Sequence, residues 1–162
     1  MGRGAWMIET ELEKLLTSLR QRKLTVAFAE SCTGGLLSAA VAALPGVSDV
    51  FMGSIVCYSY SAKTDLLGVQ WETLNSHGAV SEEVALQMAR GACERLKANC
   101  TISITGIAGP TGGTPEKPVG TVWFGVKGPG FEASEKALFL GERVEIQKQS
   151  VHFALKLLNS KI

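Results

Sequence analysis

Leu24-Thr25-Val26-Ala27-Phe28-Ala29-Glu30-Ser31-Cys32-Thr33-Gly34-Gly35 passes from an apolar run into hydroxyl, thiol and glycine residues, and an Ala/Leu-rich segment from Leu36 to Leu44 follows, halted by Pro45-Gly46. Residues 24–29 read as a short buried strand and 36–44 as a helix. A strand that gives way directly to a helix sets the alternation of an α/β fold. The turn between them also carries chemistry. Its glycines let backbone N–H groups approach a ligand closely, and the first helical turn carries partial positive charge. Thr33, Gly34 and Gly35 are therefore candidate backbone donors for an anion or a developing oxyanion, with Ser31 the candidate nucleophile. The same letters also spell a helix cap, in which Ser31 or Thr33 satisfies the first-turn amides. The heptapeptide alone leaves both readings open.

Working outward, residues 8–21 form an amphipathic helix with Ile8, Leu12, Leu15, Leu16 and Leu19 on one face, expected to cover one side of a sheet. Residues 50–60 read as a second strand with Gly53 as a bulge candidate. Ser61-Ala62-Lys63 opens a short helix that runs to Leu67 and stops at Gly68. Ser81 is an N-cap followed by Glu82 and Glu83, and the apolar face of the helix it starts is Ala85, Met88, Ala89, Ala92, Cys93 and Leu96. A short apolar strand at 100–105 leads into a Gly/Pro/Thr loop, 106–118. Strands at 119–127 and 131–140 form a hairpin across Gly128-Pro129-Gly130. A last helix, 142–158, turns Ile146, Phe153, Ala154, Leu157 and Leu158 inward. This order predicts a single domain over 1–162, a three-layer α/β/α sandwich whose mostly parallel mixed sheet contains one antiparallel strand.

The 162 residues suit one core of ordinary size, and 16 Lys+Arg against 15 Asp+Glu leave a net charge of +1. That balance offers no footprint for a nucleic acid or an anionic membrane, although a few local charges suffice for a small anion. No apolar run approaches the ~20 residues of a membrane span, and Met1 to Trp6 lead into the first helix without an apolar leader, so a cytoplasmic protein is expected. Cys32, Cys57, Cys93 and Cys100 make no C-x-x-C pair, and His77 and His152 lie far apart. Neither a disulfide framework, a metal site nor a cofactor is expected.

Tyr58 and Lys63 lie where the second strand passes into a helix. If the first two strands are parallel neighbours, these residues share one sheet edge with Ser31, the edge where ligands bind in open α/β sheets. A lysine buried there loses its charge readily and can take a proton from a serine. Thr105 to Thr114 is a glycine-rich loop at another strand end, without the spacing of a dinucleotide fingerprint or a P-loop, and its backbone could cradle a phosphate. Arg143 opens the last helix with a planar fork suited to phosphate or carboxylate. A Cys32–His77 couple would be the thiol version of the site. Neighbours in an extended chain point to opposite sides, so Ser31 and Cys32 cannot both face the cleft.

Ala29-Glu30-Ser31-Cys32-Thr33-Gly34-Gly35, Pro45-Gly46-Val47-Ser48, Tyr58-Ser59-Tyr60-Ser61-Ala62-Lys63, His77-Gly78-Ala79-Val80-Ser81, Thr105-Gly106-Ile107-Ala108-Gly109-Pro110 and Glu116-Lys117-Pro118-Val119-Gly120-Thr121, in this order, resemble the CinA C-terminal domain family over 24–158. The resemblance implies a hydrolase that deamidates nicotinamide mononucleotide to nicotinic acid mononucleotide and ammonia without a metal, in pyridine nucleotide salvage. It also implies an α/β/α fold and a homodimer. Ser31 becomes the nucleophile, Lys63 and Tyr58 the proton-transfer groups, and Thr105, Gly106, Gly109 and Arg143 the substrate-binding positions. Where relatives often carry a second arginine four residues after Arg143, this chain has Gln147, so a weaker, neutral phosphate contact is expected there. No counterpart of the N-terminal domain of longer members is expected. The competing reading is a non-catalytic nucleotide-binding or regulatory module, and the near-neutral charge disfavours a DNA-associated role.

Overall fold

Helix α1 (Arg3–Arg22) precedes β1 (Val26–Glu30) and α2 (Leu36–Ala42); a single 3-10 turn (Val47–Asp49) leads to β2 (Phe51–Val56), α3 (Tyr60–Leu67), α4 (Trp71–His77) and α5 (Glu82–Leu96). Strands β3 (Cys100–Gly106), β4 (Thr121–Gly128) and β5 (Phe131–Leu138) follow, and α6 (Arg143–Lys161) closes the chain. The computed structural model describes the backbone of residues 3–162 and the side chains of residues 7–162. The expectation for Met1 and Gly2, and for side chains up to Trp6, lies outside the described residues.

The sheet order is β2-β1-β3-β4-β5. β1 pairs in parallel with both β2 and β3, whereas β3–β4 and β4–β5 are antiparallel. β4 is thus the one strand that runs against the other four, as the hairpin signal predicts. The β1–β2 register jumps from Val26 opposite Phe51 to Ala27 opposite Gly53, so Met52 is the extra residue of a bulge and Gly53 takes φ +134°.

Alternation along the strands sends side chains to two helical layers. Val26, Phe28, Ile102, Ile104 and Phe124 pack with the α1 leucines, with Leu37 and Val41 of α2, and with Ile146, Ala154 and Leu158 of α6. On the opposite face Ala29 packs with Leu67, Leu74, Val84, Met88 and Ala92 of α3, α4 and α5. Three sequence expectations are corrected. β2 ends at Val56 and α3 begins at Tyr60, because the Ser59 hydroxyl accepts the Ala62 amide at 3.1 Å and caps the helix. Helix α4 was not foreseen, since Leu74 is its only buried residue and gives no periodic stripe. Phe153 is half-buried rather than fully inward, and stacks on Phe124 at 4.7 Å between centroids.

β3 is less apolar than its alternation suggests. Ile102 and Ile104 face the α1/α6 layer, while the hydroxyls of Thr101, Ser103 and Thr105 donate on the other face to the carbonyls of Ala89, Ala85 and Ala79. α5 consequently lies close to the sheet: a Cβ on Gly125 would meet the Ala85 carbonyl oxygen at 2.3 Å. α5 is equally tight against α3, because a Cβ on Gly91 would meet the Leu67 carbonyl oxygen at 2.0 Å. Gly91→Ala is expected to destabilise the protein by about 3 kcal/mol, a fall in Tm of roughly 6–12 °C, read by calorimetry or circular dichroism.

Candidate active site

β1 and β2 are parallel neighbours, so their carboxyl ends open on the same edge of the sheet. β1 delivers Ser31 there, and the connection from β2 delivers Lys63 on the first turns of α3. Both are buried, Ser31 at 7% exposure and Lys63 at 1%. Lys63 Nζ donates to Ser31 Oγ at 2.8 Å, to the Cys57 carbonyl at 2.9 Å and, more weakly, to the Tyr58 carbonyl at 3.4 Å. Burial without a carboxylate partner holds the Lys63 ammonium below the usual lysine range. A neutral amine has two hydrogens and one lone pair, and two of its three neighbours are carbonyls that can only accept. On deprotonation the lone pair is left facing Ser31, and the contact reverses to one that accepts the serine proton.

The side chain that caps α2 is one that spacing did not single out. Glu30, the last residue of β1, is fully buried. Its Oε2 accepts the Thr33 hydroxyl at 2.8 Å and the amides of Gly35 at 3.1 Å and Leu37 at 3.0 Å, while Oε1 accepts the Ser38 amide at 2.8 Å and the Ser54 hydroxyl at 3.2 Å. The carboxylate therefore caps α2, and Ser31 does not. The same contacts revise the expected oxyanion donors. The Gly35 amide is held by Glu30 and the Gly34 amide by the Ser31 carbonyl at 3.0 Å, which leaves Thr33 as the one of the three not committed to either.

Cys32 is 4% exposed and packs in the core cluster, yet it borders the same cleft as Ser31, contrary to the expected alternation, and burial pushes its thiol up to about 12, which keeps it protonated. His77 ends α4 instead of lying in a loop and faces Glu83 at 3.5 Å, so no Cys32–His77 couple forms. Tyr58 is 60% exposed, and its hydroxyl accepts Arg143 Nη2 at 2.6 Å; only its backbone carbonyl touches Lys63. Arg143 Nη1 donates to the Gly109 carbonyl at 2.8 Å, so the guanidinium ties the start of α6 to the loop after β3 and to Tyr58. The Gln147 side-chain amide donates to the Cys32 carbonyl at 2.8 Å, bracing the turn after Ser31.

Ser31, Lys63, Tyr58, Thr105, Gly106, Gly109 and Arg143 border one cleft of about 330 Å³. Thr105 is buried and its hydroxyl is committed to the Ala79 carbonyl, so it shapes the floor more than it offers a donor. Gly106 is required by packing, since a Cβ there would meet Val122 Cγ2 at 2.7 Å. Gly109 has φ +79°, a conformation that favours glycine. The cleft thus holds a serine–lysine pair together with an arginine, suited to activating a hydroxyl beside a bound anion. Among the described residues no three His, Cys, Asp or Glu side chains gather to hold a metal, and no helix is long and apolar enough to cross a membrane.

The family model of the CinA C-terminal domain matches residues 9–162. A CinA-like protein of Kosmotoga olearia is 48% identical over 148 residues, 91% of this chain and 36% of that protein. A CinA-like protein of Chlorobaculum tepidum is 56% identical over 119 residues, 73% of this chain and 28% of that protein. The chain spans about a third of the length of these curated relatives. Among solved structures, the competence/damage inducible protein CihA of Agrobacterium tumefaciens superposes with a TM-score of 0.92 at 42% identity, over 95% of this chain and 94% of that one. The competence damage-inducible protein A of Klebsiella pneumoniae gives 0.92 at 33% identity, over 95% and 96%.

Proposed function

The chain belongs to the CinA C-terminal domain family, and from that premise we propose that it is an amidohydrolase that converts nicotinamide mononucleotide to nicotinic acid mononucleotide and ammonia. The observation that carries this reading is the 2.8 Å contact between a buried lysine, whose other partners among the described residues are two backbone carbonyls, and a serine that does not cap α2. Neutral Lys63 takes the Ser31 proton as Oγ attacks the carboxamide carbon. Thr33, whose amide stays uncommitted to Ser31 or Glu30, supplies a donor to the oxyanion. Collapse of the tetrahedral intermediate breaks the C–N bond, and the Lys63 ammonium protonates the departing amine to ammonia. A nicotinoyl ester remains on Ser31. Water, deprotonated by the same lysine, hydrolyses it and restores the serine hydroxyl.

In this reading Arg143 meets the ribose phosphate in the cleft, with the Gly106 to Thr114 loop around it. Tyr58, bonded to Arg143, orients the guanidinium. Tyr58→Phe and Arg143→Gln are each expected to raise KM roughly 5- to 20-fold with kcat within about threefold, and a double-mutant cycle on kcat/KM should show coupling of about 1 kcal/mol. A fall in kcat at unchanged KM in Tyr58→Phe would instead place the hydroxyl on the proton path. One domain over 1–162, a homodimer and a cytoplasmic setting belong to the same proposal, and sedimentation of the purified protein tests the dimer.

The deciding experiment is incubation of purified protein with nicotinamide mononucleotide, following ammonia and nicotinic acid mononucleotide together. Equimolar release of both is expected. Saturable binding of the nucleotide with no ammonia would make the domain a binding module.

A further inference from the structure

We infer that Glu30 is a positioning residue for Ser31: its carboxylate clamps the nucleophile turn onto the start of α2, so that the serine hydroxyl is aimed at Lys63 rather than drawn into capping. The inference rests on reading Ser31 as the nucleophile but not on the identity of the substrate. Glu30 follows four apolar residues in a strand whose residues are all buried, a place where an acid is costly unless its oxygens are fully met. Five donors meet them: three peptide N–H groups and the hydroxyls of Thr33 and Ser54. No side-chain hydroxyl caps α2, whose preceding residue is Gly35 in a left-handed conformation, so these amides would otherwise compete for Ser31 or Thr33.

The backbone on either side of the carboxylate is equally constrained. The Glu30 carbonyl accepts the Cys57 amide at 2.9 Å, and the Ser31 amide donates to the Ile104 carbonyl at 2.9 Å. Beyond Ser31 the chain is free of the sheet, and there the Glu30 side chain takes over as the restraint, through Thr33, Gly35, Leu37 and Ser38. Ser54 ties the same carboxylate to β2, the strand whose continuation delivers Lys63. One side chain therefore references both members of the pair. Glutamine has the same shape but presents an NH₂ where donors converge, so at least one of the five contacts becomes donor against donor.

The test compares wild type, Glu30→Gln and Glu30→Asp with Thr101→Val, a control that loses a buried hydrogen bond to the Ala89 carbonyl away from the cleft. Glu30→Asp retains the charge one methylene short and serves if the glutamine variant fails to fold. The readouts are the rate at which a fluorophosphonate probe labels Ser31, the kcat and KM of ammonia release, and amide hydrogen exchange. In Glu30→Gln, labelling is expected to slow about 10- to 100-fold, with kcat falling by the same factor and KM within about twofold. Exchange at Gly35, Leu37 and Ser38 should quicken in that variant and not in Thr101→Val. Labelling at the wild-type rate, unchanged exchange at those amides, or equal slowing in a Thr101→Val protein of matched Tm overturns the inference. Glu30-dependent labelling in a protein that releases no ammonia would sink the substrate reading and leave the role of Glu30 standing.

Discussion

Ser31→Ala is expected to lower ammonia release from nicotinamide mononucleotide by about 10⁴-fold or more, because an acyl-transfer route without its nucleophile retains only binding and electrostatic contributions. The fold should survive. The hydroxyl makes one hydrogen bond, to Lys63, and that lysine keeps the Cys57 and Tyr58 carbonyls, so the loss is about 1 kcal/mol, roughly 2–4 °C in Tm. The neighbouring thiol cannot substitute: Cys32 sits in the core with its ionisation pushed up to about 12. Quenched-flow mass spectrometry should find the nicotinoyl adduct on wild type and none on the variant. Turnover near the wild-type rate in Ser31→Ala would remove the serine from the mechanism.

Lys63→Ala should cost about 10²–10⁴-fold in kcat, the range of a lost general base, with KM little changed. Its pH signature has a definite sign. The base must be neutral, and burial lowers its ionisation below the ordinary value near 10.5, so kcat falls as pH drops through that lowered value and Lys63 takes up a proton. Stability moves in the same direction. Between the folded and unfolded values the unfolded chain binds more protons, so stability rises with pH across that window and is flat below it. Lys63→Met should remove this contribution to the slope, which denaturant unfolding at pH 7 and pH 10 measures. A wild-type activity profile that stays flat down to pH 5 would show that Lys63 is not the titrating base.

The legible part of this fold is what periodicity and turn chemistry control. The strand before Ser31, the cap at Ser81 and the hairpin at Gly128-Pro129-Gly130 are local signals, and together they order a sheet with one reversed strand. Helix α4 escaped because one buried leucine makes no stripe. For the site, sequence spacing indicated which residues share the edge of the sheet, and the structure brings Ser31 to Lys63 and Tyr58 to Arg143. Spacing does not say which acceptor each donor will choose. The Gly34 and Gly35 amides, the Thr105 hydroxyl and the Gln147 amide all look available in the sequence and all find partners inside the protein. Glu30 was the least legible, since an acid at a strand end ordinarily reads as the point where the chain meets water. Its one signal was position: an acid directly after Val-Ala-Phe-Ala and directly before the turn that opens a helix.

The hydroxyls of β3 bear on how the cleft can respond to a ligand. Helices that slide past one another do so over interdigitated apolar side chains, which tolerate small shear displacements. α5 and the segment just before it are instead pinned at three successive points by directional hydrogen bonds from Thr101, Ser103 and Thr105 to single carbonyls. Shear at that interface would break all three together, so α5 is held at one position on the sheet. The loop after Gly106, tied to the start of α6 by the Arg143 bond to the Gly109 carbonyl, lies outside that three-point attachment.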